Sequence, residues 1–447
     1  MAIVAAALAA CAPYATSTAM STTALLRTKP TPRPAVATTH WTPCLSSAAY
    51  ADLQGPVPAS PWPLRGNPAF DPADLPEEAR RWYDRLWDAI SDPDRSRSMT
   101  ALAARDDLYH YSRALHTYVL SLLAAFRATG DLALLDEVDR LAEHMRARLR
   151  DPWRGTLDRT DGTTDGYVNW VFRYGNSRDH QGKDLHTFDE MRTHAMVAEV
   201  TWALHHNRDL TSPNGIDYGQ HADNWIAYLQ DHFEAKWRER NEVPEGAFPF
   251  LESTSMHATV AFVKYHHYMA RITGQAGHLR EAERLASIVF DHFATVSHAG
   301  ETALVWPRTL TDQGGTQNFL QPTTYARYVF GDLVDLHLDG FTRVSSSTVR
   351  AIAHTVRSFV LVGPDTNPSL ARDIGGGVAR AGIPASAASA WSPPTLGQHT
   401  VSPTSFVALW DRSGRVAVTA CVVETEAPAS LRSAHLPAAM LLALARR

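Results

Sequence analysis

Thr129-Gly130, followed by Leu135, Glu137, Arg140, Leu141 and Ala142, returns later in the chain as Thr273-Gly274, followed by Leu279, Glu281, Arg284, Leu285 and Ala286. Every offset from the glycine is the same in both copies, and Arg127 and Arg271 match three residues before it. Each copy reads as a helix, a glycine stop and a second helix. Leu115, Tyr118, Leu122 and Phe126 have helical spacing. Gly130 suits the position just past a helix end, where a left-handed backbone closes the last turn. After it, Leu135, Val138, Leu141, Met145 and Leu149 form a second amphipathic face. The unit of this chain is therefore a helical hairpin.

Working outward, two more hairpins complete the pattern. Residues 188–206 and 219–237 form one, split by the breaker run from Asn207 to Ser212-Pro213-Asn214-Gly215. Residues 322–337 and 345–361 form another, split by Asp339-Gly340. A helix around 77–90, with Trp82, Leu86 and Ile90, precedes them all. Sequential hairpins with this much apolar surface stack into a solenoid or close into a ring. The irregular period and the long insertion at 150–185 favour the ring. The expected fold class is all-α: a single (α/α) toroid over residues 61–447. A small C-terminal β-hairpin is expected where Ser405 to Trp410 and Arg415 to Thr419 flank Asp411-Arg412-Ser413-Gly414. Gly375-Gly376-Gly377 lacks the following Lys-Ser/Thr and the strand-to-helix frame of a phosphate loop, and reads as a flexible loop.

A chain of 447 residues that is 45% hydrophobic can bury a large core. A net charge of −5 argues against a duplex nucleic-acid binder. Lysine is confined to Lys29, Lys183, Lys236 and Lys264, so the cations are nearly all arginine, which grips carboxylates with a two-pronged fork. The run from Met1 to Cys11 is too short to span a bilayer. It looks like a secretory apolar segment, and Leu8-Ala9-Ala10-Cys11 is similar to a bacterial lipobox, although no Lys or Arg precedes it. A secreted protein is expected, touching a membrane only through a lipid on Cys11. Residues 12–60, rich in Ser, Thr, Ala and Pro, read as a flexible tether. Cys44 and Cys421 are left either as one disulfide or as two buried thiols. With no CxxC pair, a zinc–thiolate site is not expected.

The residues with chemistry recur at helix starts. His194 follows His186-Thr187-Phe188-Asp189-Glu190. His257 follows Glu252-Ser253-Thr254-Ser255-Met256, and Tyr325 follows Gln321-Pro322-Thr323-Thr324. Helices repeating at such intervals can lie side by side with their N-termini at one rim, where unpaired N–H groups and dipole ends attract anions. Thr187-Phe188-Asp189-Glu190 fits a capping box, which makes Glu190 a capping residue. Thr254 or Ser255 can cap the second helix, and Pro322 suits the first position of the third. A nearby helix N-terminus disfavours imidazolium, so both histidines are expected neutral. Seventeen residues before the repeat glycine stand Arg113 in one copy and His257 in the other, which suggests a shared inward face. The insertion adds Tyr167-Val168-Asn169-Trp170-Val171-Phe172-Arg173-Tyr174-Gly175-Asn176. Rings interleaved with Asn and Arg suit a sugar cleft, or else anchor a buried loop. Trp306-Pro307-Arg308 and Gln317-Asn318-Phe319 offer further polar contacts. His205-His206 and His266-His267 are adjacent pairs whose members point apart on a helix, and HExxH does not occur; neither a metal nor a cofactor is expected.

With Asn169 and Arg173 in a loop, His194, His257 and a late Tyr325, the chain resembles the (α/α)-barrel polysaccharide lyases that cleave polyuronic acids. It is most similar to alginate and glucuronan lyases, including polysaccharide lyase family 38. The runs from Asp184-Leu185-His186 to His194, from Met256-His257-Ala258 to Gly274, and from Gln321-Pro322 to Asp339-Gly340-Phe341 carry the resemblance. It covers roughly residues 100–420 and implies β-elimination on an acidic polysaccharide without a cofactor. One group neutralises the C6 carboxylate, a base removes the C5 proton, and an acid protonates the departing O4. Carried onto this chain, Asn169 and His194, with Arg308 behind them, are the neutralising candidates. His257 is the candidate base and Tyr325 the candidate acid, or Tyr325 takes both parts. Arg173, Tyr174, Glu252 and Arg113 are candidates for holding the substrate. Residue chemistry agrees on types: a neutral His can accept a proton, and a Tyr near cations loses its own more readily. Two rivals stand. An inverting glycoside hydrolase or an epimerase on the same toroid would draw on Asp189, Glu190 and Glu252. A non-catalytic glycan-binding lipoprotein would hold polyuronate without shortening it.

Overall fold

The computed structural model describes residues 60–150, 166–173, 187–241, 255–310, 320–362, 369–376 and 434–444. The leader, the tether up to residue 59, Cys44, Cys421, Tyr174, Glu252, Gln317-Asn318-Phe319 and the hairpin expected at 405–419 lie outside these residues.

The chain is mostly helical. In order come α1 (Glu77–Ser91), α2 (Pro93–Ala103) and α3 (His116–Thr129). Leu108–His110 and a π-helical turn, Tyr111–Leu115, lead into α3. Then come α4 (Leu132–Arg146), α5 (Thr187–His206), and α6 (Tyr218–Tyr228). A π-helical turn at Leu229–Glu234 continues α6 into α7 (Ala235–Asn241). Next are α8 (Met256–Thr273), α9 (Ala276–Asp291), β1 (Ala294–His298), β2 (Glu301–Val305), α10 (Thr323–Leu338) and α11 (Ser346–Thr355). Short strands β3 (Leu361–Val362) and β4 (Ser369–Leu370) and a final helix α12 (His435–Leu444) close the series.

Four hairpins emerge, each packing its two members together: α3 with α4, α5 with α6, α8 with α9, and α10 with α11. The first member of each faces the others, α3 against α5, α5 against α8 and α8 against α10. Helix α12 packs on α3 and α1. The inner helices run in one direction, because ring and ion contacts join the start of α5 to the starts of α8 and α10, while Arg127, Glu199, Arg271 and Asp339 meet near their far ends.

The repeat read from the sequence has a structural meaning in both copies. Arg140 forks onto Glu137 at 2.7 Å through two nitrogens, and Arg284 forks onto Glu281 at 2.8 and 2.7 Å. The two arginines preceding the glycines converge on one carboxylate: Arg127 reaches Asp339 at 3.5 Å and Arg271 reaches it at 3.2 Å. The copies diverge in packing, since Leu135 is fully buried and its counterpart Leu279 is 43% exposed. Gly130 and Gly274 both end their helices with positive φ, 72° and 68°. A Cβ on Gly130 would sit 2.9 Å from Asn67, whereas one on Gly274 would meet open space. The left-handed backbone alone disfavours alanine by roughly 1–2 kcal/mol. Gly274→Ala should therefore cost about that much and Gly130→Ala clearly more, as read by urea unfolding; equal losses would mean that the Asn67 contact is unimportant.

Two local expectations change, and among the described residues two short antiparallel pairings join the helices: β1–β2, whose register pairs Val296 with Ala303, and β3–β4, which pairs Leu361 with Leu370. The tight turn of β1–β2 uses Ala299 and Gly300, both at positive φ, which hydrophobic spacing alone does not announce. Pro322 is the residue before α10 and not its first helical position. Gly375 and Gly376 belong to an ordered turn: Ile374 N–H donates to Gln321 O at 3.2 Å and Thr323 N–H to Arg372 O at 3.0 Å, so residues 371–376 brace the start of α10.

Candidate functional site

A short extended segment sets the site. Met256 N–H donates to Arg308 O at 2.9 Å and Gln321 N–H to Trp306 O at 3.0 Å. Residues 306–308 thus tie the start of α8 to the residues just before α10. His257, Gln321, Tyr325 and Arg308 are brought together this way. Trp306 fixes the segment from below, stacked on Phe293 at 4.8 Å and edge-on to Phe330 at 5.7 Å.

His257 is buried, stacked on Tyr325 at 4.7 Å and edge-on to Phe188 at 4.5 Å. Ser255 does not cap α8 through its side chain. Its Oγ lies 3.3 Å from His257 Nε2, and Gln321 Nε2 lies 3.3 Å from His257 Nδ1. Phe188 also packs against Tyr328 at 5.4 Å. Arginines close around these rings. The Arg113 guanidinium carbon stands 5.2 Å from the Phe188 ring centre and that of Arg308 stands 6.0 Å from Tyr325. Those of Arg192 and Arg327 stand 4.0 and 4.5 Å from Tyr328. Arg113 pairs with Asp189 at 3.3 Å, and Ser112 donates to the same carboxylate oxygen. Arg192 Nε donates to Ser112 O at 2.7 Å, and its Nη1 pairs with Asp332 at 3.4 Å.

This charge sets the titration of the three proton-transfer groups. Burial pushes His257 well below the usual histidine value, and Arg308, Arg113 and Arg192 push it further. Tyr325 is raised above the ordinary phenol value because burial outweighs Arg113 and Arg308. That reverses the sequence expectation, in which nearby cations ease its ionisation. Tyr328 behaves as expected of Tyr325: burial pushes it up, but Arg327, Arg113 and Arg192 together bring it below the ordinary value.

His194 and Asn169 belong to a different cluster. An α-helix turns about 100° per residue, so His194 faces about 200° away from Arg192 on α5. His194 Nδ1 donates to Glu190 O at 2.7 Å, its Nε2 meets the Tyr228 hydroxyl at 2.8 Å, and its ring lies flat on Phe233 at 3.8 Å. Asn169 donates to Glu190 Oε1 at 2.8 Å, and the same oxygen takes Lys236 and Trp237. Glu190 is thus the centre of a buried ion pair, and His194 is a packed core histidine. Two of the insertion's described rings, Trp170 and Phe172, are likewise anchors: both are buried, and Trp170 donates to Met145 O at 2.8 Å and meets Tyr111 edge-on at 5.3 Å. Arg173 is exposed and tied to Asp106, 3.0 Å to its carbonyl and 3.1 Å to its carboxylate.

Of the candidates named from sequence, the structure therefore groups His257, Tyr325, Arg113 and Arg308. It places His194 and Asn169 elsewhere and Arg173 on the surface beside Asp106. Sequence reasoning missed Phe188, Arg192, Gln321 and Arg327. Phe188 and Arg192 are four residues apart on α5, a same-face spacing that could have flagged them. Nothing in the spacing of Arg327 points its guanidinium at Tyr328. A separate triad could hold a cation: one donor atom each from Asp139, Glu143 and His221 lie within 4.8 Å of one another between α4 and α6. Its members are already paired, His221 with Asp139 at 2.9 Å and Glu143 with Arg146 at 2.8 Å.

No protein-family model, curated protein or solved structure matches the chain.

Proposed function

We propose that this protein is a secreted polysaccharide lyase that cleaves a polyuronic acid, of alginate or glucuronan type, by β-elimination, on hairpins closed into an (α/α) toroid. The observation that supports it is the setting of His257 and Tyr325: the two rings stack at 4.7 Å among four arginines at the common end of the inner helices, where burial and the cations lower the pKa of the histidine and burial raises that of the tyrosine. Arg113 and Arg308 stand nearest the two rings and clamp the substrate's C6 carboxylate, which acidifies the C5 proton. His257 removes that proton; its depressed basicity keeps it free to accept one at neutral pH. Tyr325, raised by burial, keeps its own proton for the departing O4. Arginine excess argues against the hydrolase alternative, which needs two carboxylates across a cleft. Asp189 is held by Arg113 and Ser112, and Glu190 by Lys236. None of the described helices is long and apolar enough to cross a membrane.

The test is incubation with alginate blocks, glucuronan and hyaluronan. A lyase yields an unsaturated, ultraviolet-absorbing sugar end; new reducing ends without absorbance would indicate hydrolysis, and binding without either would indicate a capture protein. The pH profile adds a second check. The base works above its pKa and the acid below its own, so kcat/KM rises through His257 and falls through Tyr325. His257 is shifted down and Tyr325 up, so the rise should lie well below pH 6.5 and the fall above pH 10. A narrow bell between these limits would remove this pair from the acid and base roles.

A further inference from the structure

The arginines around Tyr328 are not all matched by carboxylates. Arg113 is paired with Asp189 at 3.3 Å and Arg192 with Asp332 at 3.4 Å. Arg327 is 7% exposed and has no carboxylate partner among the described residues. Among the described residues its one hydrogen bond runs from Nη2 to the Tyr328 hydroxyl oxygen, and its buried Nε finds no partner there. A cation taken out of water without a counter-charge is strongly unfavourable.

Tyr328 has the complementary problem. It is 1% exposed, its hydroxyl oxygen accepts from Arg327, and no described group accepts its hydrogen. A neutral phenol there would bury an O–H with nowhere to donate, which costs the full desolvation of that donor. A phenolate has no hydrogen to place and accepts a charge-assisted bond instead. Two guanidinium carbons, of Arg192 at 4.0 Å and Arg327 at 4.5 Å, stand over the same ring. The missing negative charge and the unplaceable proton are solved by one ionisation.

We infer that Tyr328 is the built-in counter-ion of Arg327, held as a phenolate in the unliganded protein over a pH range where free tyrosine is neutral, and that an acidic sugar's carboxylate entering the arginine cluster takes over as its counter-charge and returns a proton to Tyr328. Charge balances in this exchange: the ligand brings one negative charge, Tyr328 takes one proton from solvent, and the total charge of the pocket is unchanged. The chemical class of ligand follows, a mono-anionic carboxylate at each sugar. Tyr328 acts here as a positioning residue, since it is buried. The counter-ion half stands on the apo geometry alone; the proton-uptake half rests on the acidic-sugar reading above.

The titratable and charged groups against Tyr328 come from every neighbouring element: Arg327 and Tyr325 from α10, Arg192 from α5, His257 from α8 and Arg113 from the approach to α3. Behind them stand Asp189 on Arg113, Asp332 and His116 on Arg192, Lys264 on Asp332, and Arg308 on Tyr325. Both histidines are pushed well below their usual value by burial and by the same arginines, so they add no charge. Lys264 is claimed by Glu199 at 2.6 Å and Asp335 at 2.7 Å. Tyr83, Tyr111, Tyr118, Tyr218, Tyr265, Tyr268 and Tyr325 are all pushed upward, which sets Tyr328 apart from them in a titration.

The experiment is an ultraviolet titration of tyrosinate absorbance on the full chain without ligand. One tyrosine should ionise ahead of the rest, below the ordinary value of about 10, and that step should vanish in Tyr328→Phe. Arg327→Gln keeps the phenol and should move the step upward, which covers the case in which Tyr328→Phe fails to fold. A Tyr328→Phe titration that overlays the wild type, or an Arg327→Gln step that stays in place, overturns the counter-ion. At a pH inside the step, alginate or glucuronan oligosaccharides should then bleach the tyrosinate signal, with uptake of one proton per site seen as buffer-dependent binding heat. Binding without bleaching or proton uptake overturns the coupling. Failure of every acidic oligosaccharide to bind defeats the acidic-sugar reading, and the coupling with it, while the ligand-free titration still decides the counter-ion.

Discussion

His257→Asn is expected to lower turnover by about 10²–10⁴-fold, the usual contribution of a positioned base, while polyuronate binding survives. Asparagine keeps a polar group at the same helix start but cannot accept the C5 proton. Binding persists because the arginines that hold the carboxylate are separate from the imidazole: Arg113 is fixed by Asp189 at 3.3 Å and Arg308 lies on the segment bonded to α8 through its backbone. The substitution also removes a ring stacked on Tyr325 and packed against Phe188, so a modest loss of thermal stability should accompany it. Binding isotherms and initial rates on the same variant separate the roles. Collapsed binding with normal turnover per bound complex would make His257 a substrate grip, and the base would then have to be Tyr325 or Tyr328. Loss of both in a protein that melts early would mean only that the packing failed, and His257→Gln, with longer reach, would then be the variant to measure.

What the sequence could reveal differs sharply between fold and site. The hairpins were legible because each rests on local signals: apolar spacing along α3 and α4, and a glycine at the one φ that a helix end needs. The Arg127–Gly130 and Arg271–Gly274 offsets even pointed to a shared tertiary role, which is their meeting on Asp339. The site was legible in part: Tyr325 was named for its place at a helix start and Arg308 as a polar contact, and the other two members were linked by that repeat. Arg113 and His257 occupy equivalent positions and both pack against Phe188. His194 misled because proximity to a helix start says nothing about azimuth, and its azimuth turns it into Tyr228 and Phe233. Asn169, Trp170 and Phe172 misled for a related reason: rings and amides that suit a sugar are equally suited to pinning a loop, and burial decides between the two. Arg192 and Arg327 could not be assigned because a guanidinium reaches several ångströms from its own Cα, so its destination depends on neighbours from other helices.

Lys264→Met is expected to cost about 3–5 kcal/mol, the largest stability loss among single changes away from the site, because it breaks a buried ion cluster by removing its cation. Lys264 is fully buried and contacts three carboxylates: Glu199 at 2.6 Å, Asp335 at 2.7 Å and Asp332 at 3.5 Å. Methionine fills nearly the same volume, so little of the loss would come from a cavity. The stranded carboxylates make the effect pH-dependent, and the sign can be worked out. Burial already raises Glu199 and Asp332 above the usual carboxylate values, and without Lys264 nothing equal opposes it. A carboxyl whose folded pKa exceeds its unfolded one binds its proton more tightly when folded, so stability falls as pH rises through that window. The variant should therefore be closer to the wild type near pH 5 than near pH 8, as measured by urea unfolding at both. The loss should also reach the site, since Asp332 is the carboxylate that holds Arg192 against Tyr328. A destabilised variant with a pH-independent deficit would mean that Arg127 and Arg192 alone neutralise the cluster. A variant as stable as the wild type would mean that Lys264 is present for the position of Arg192 and not for the fold.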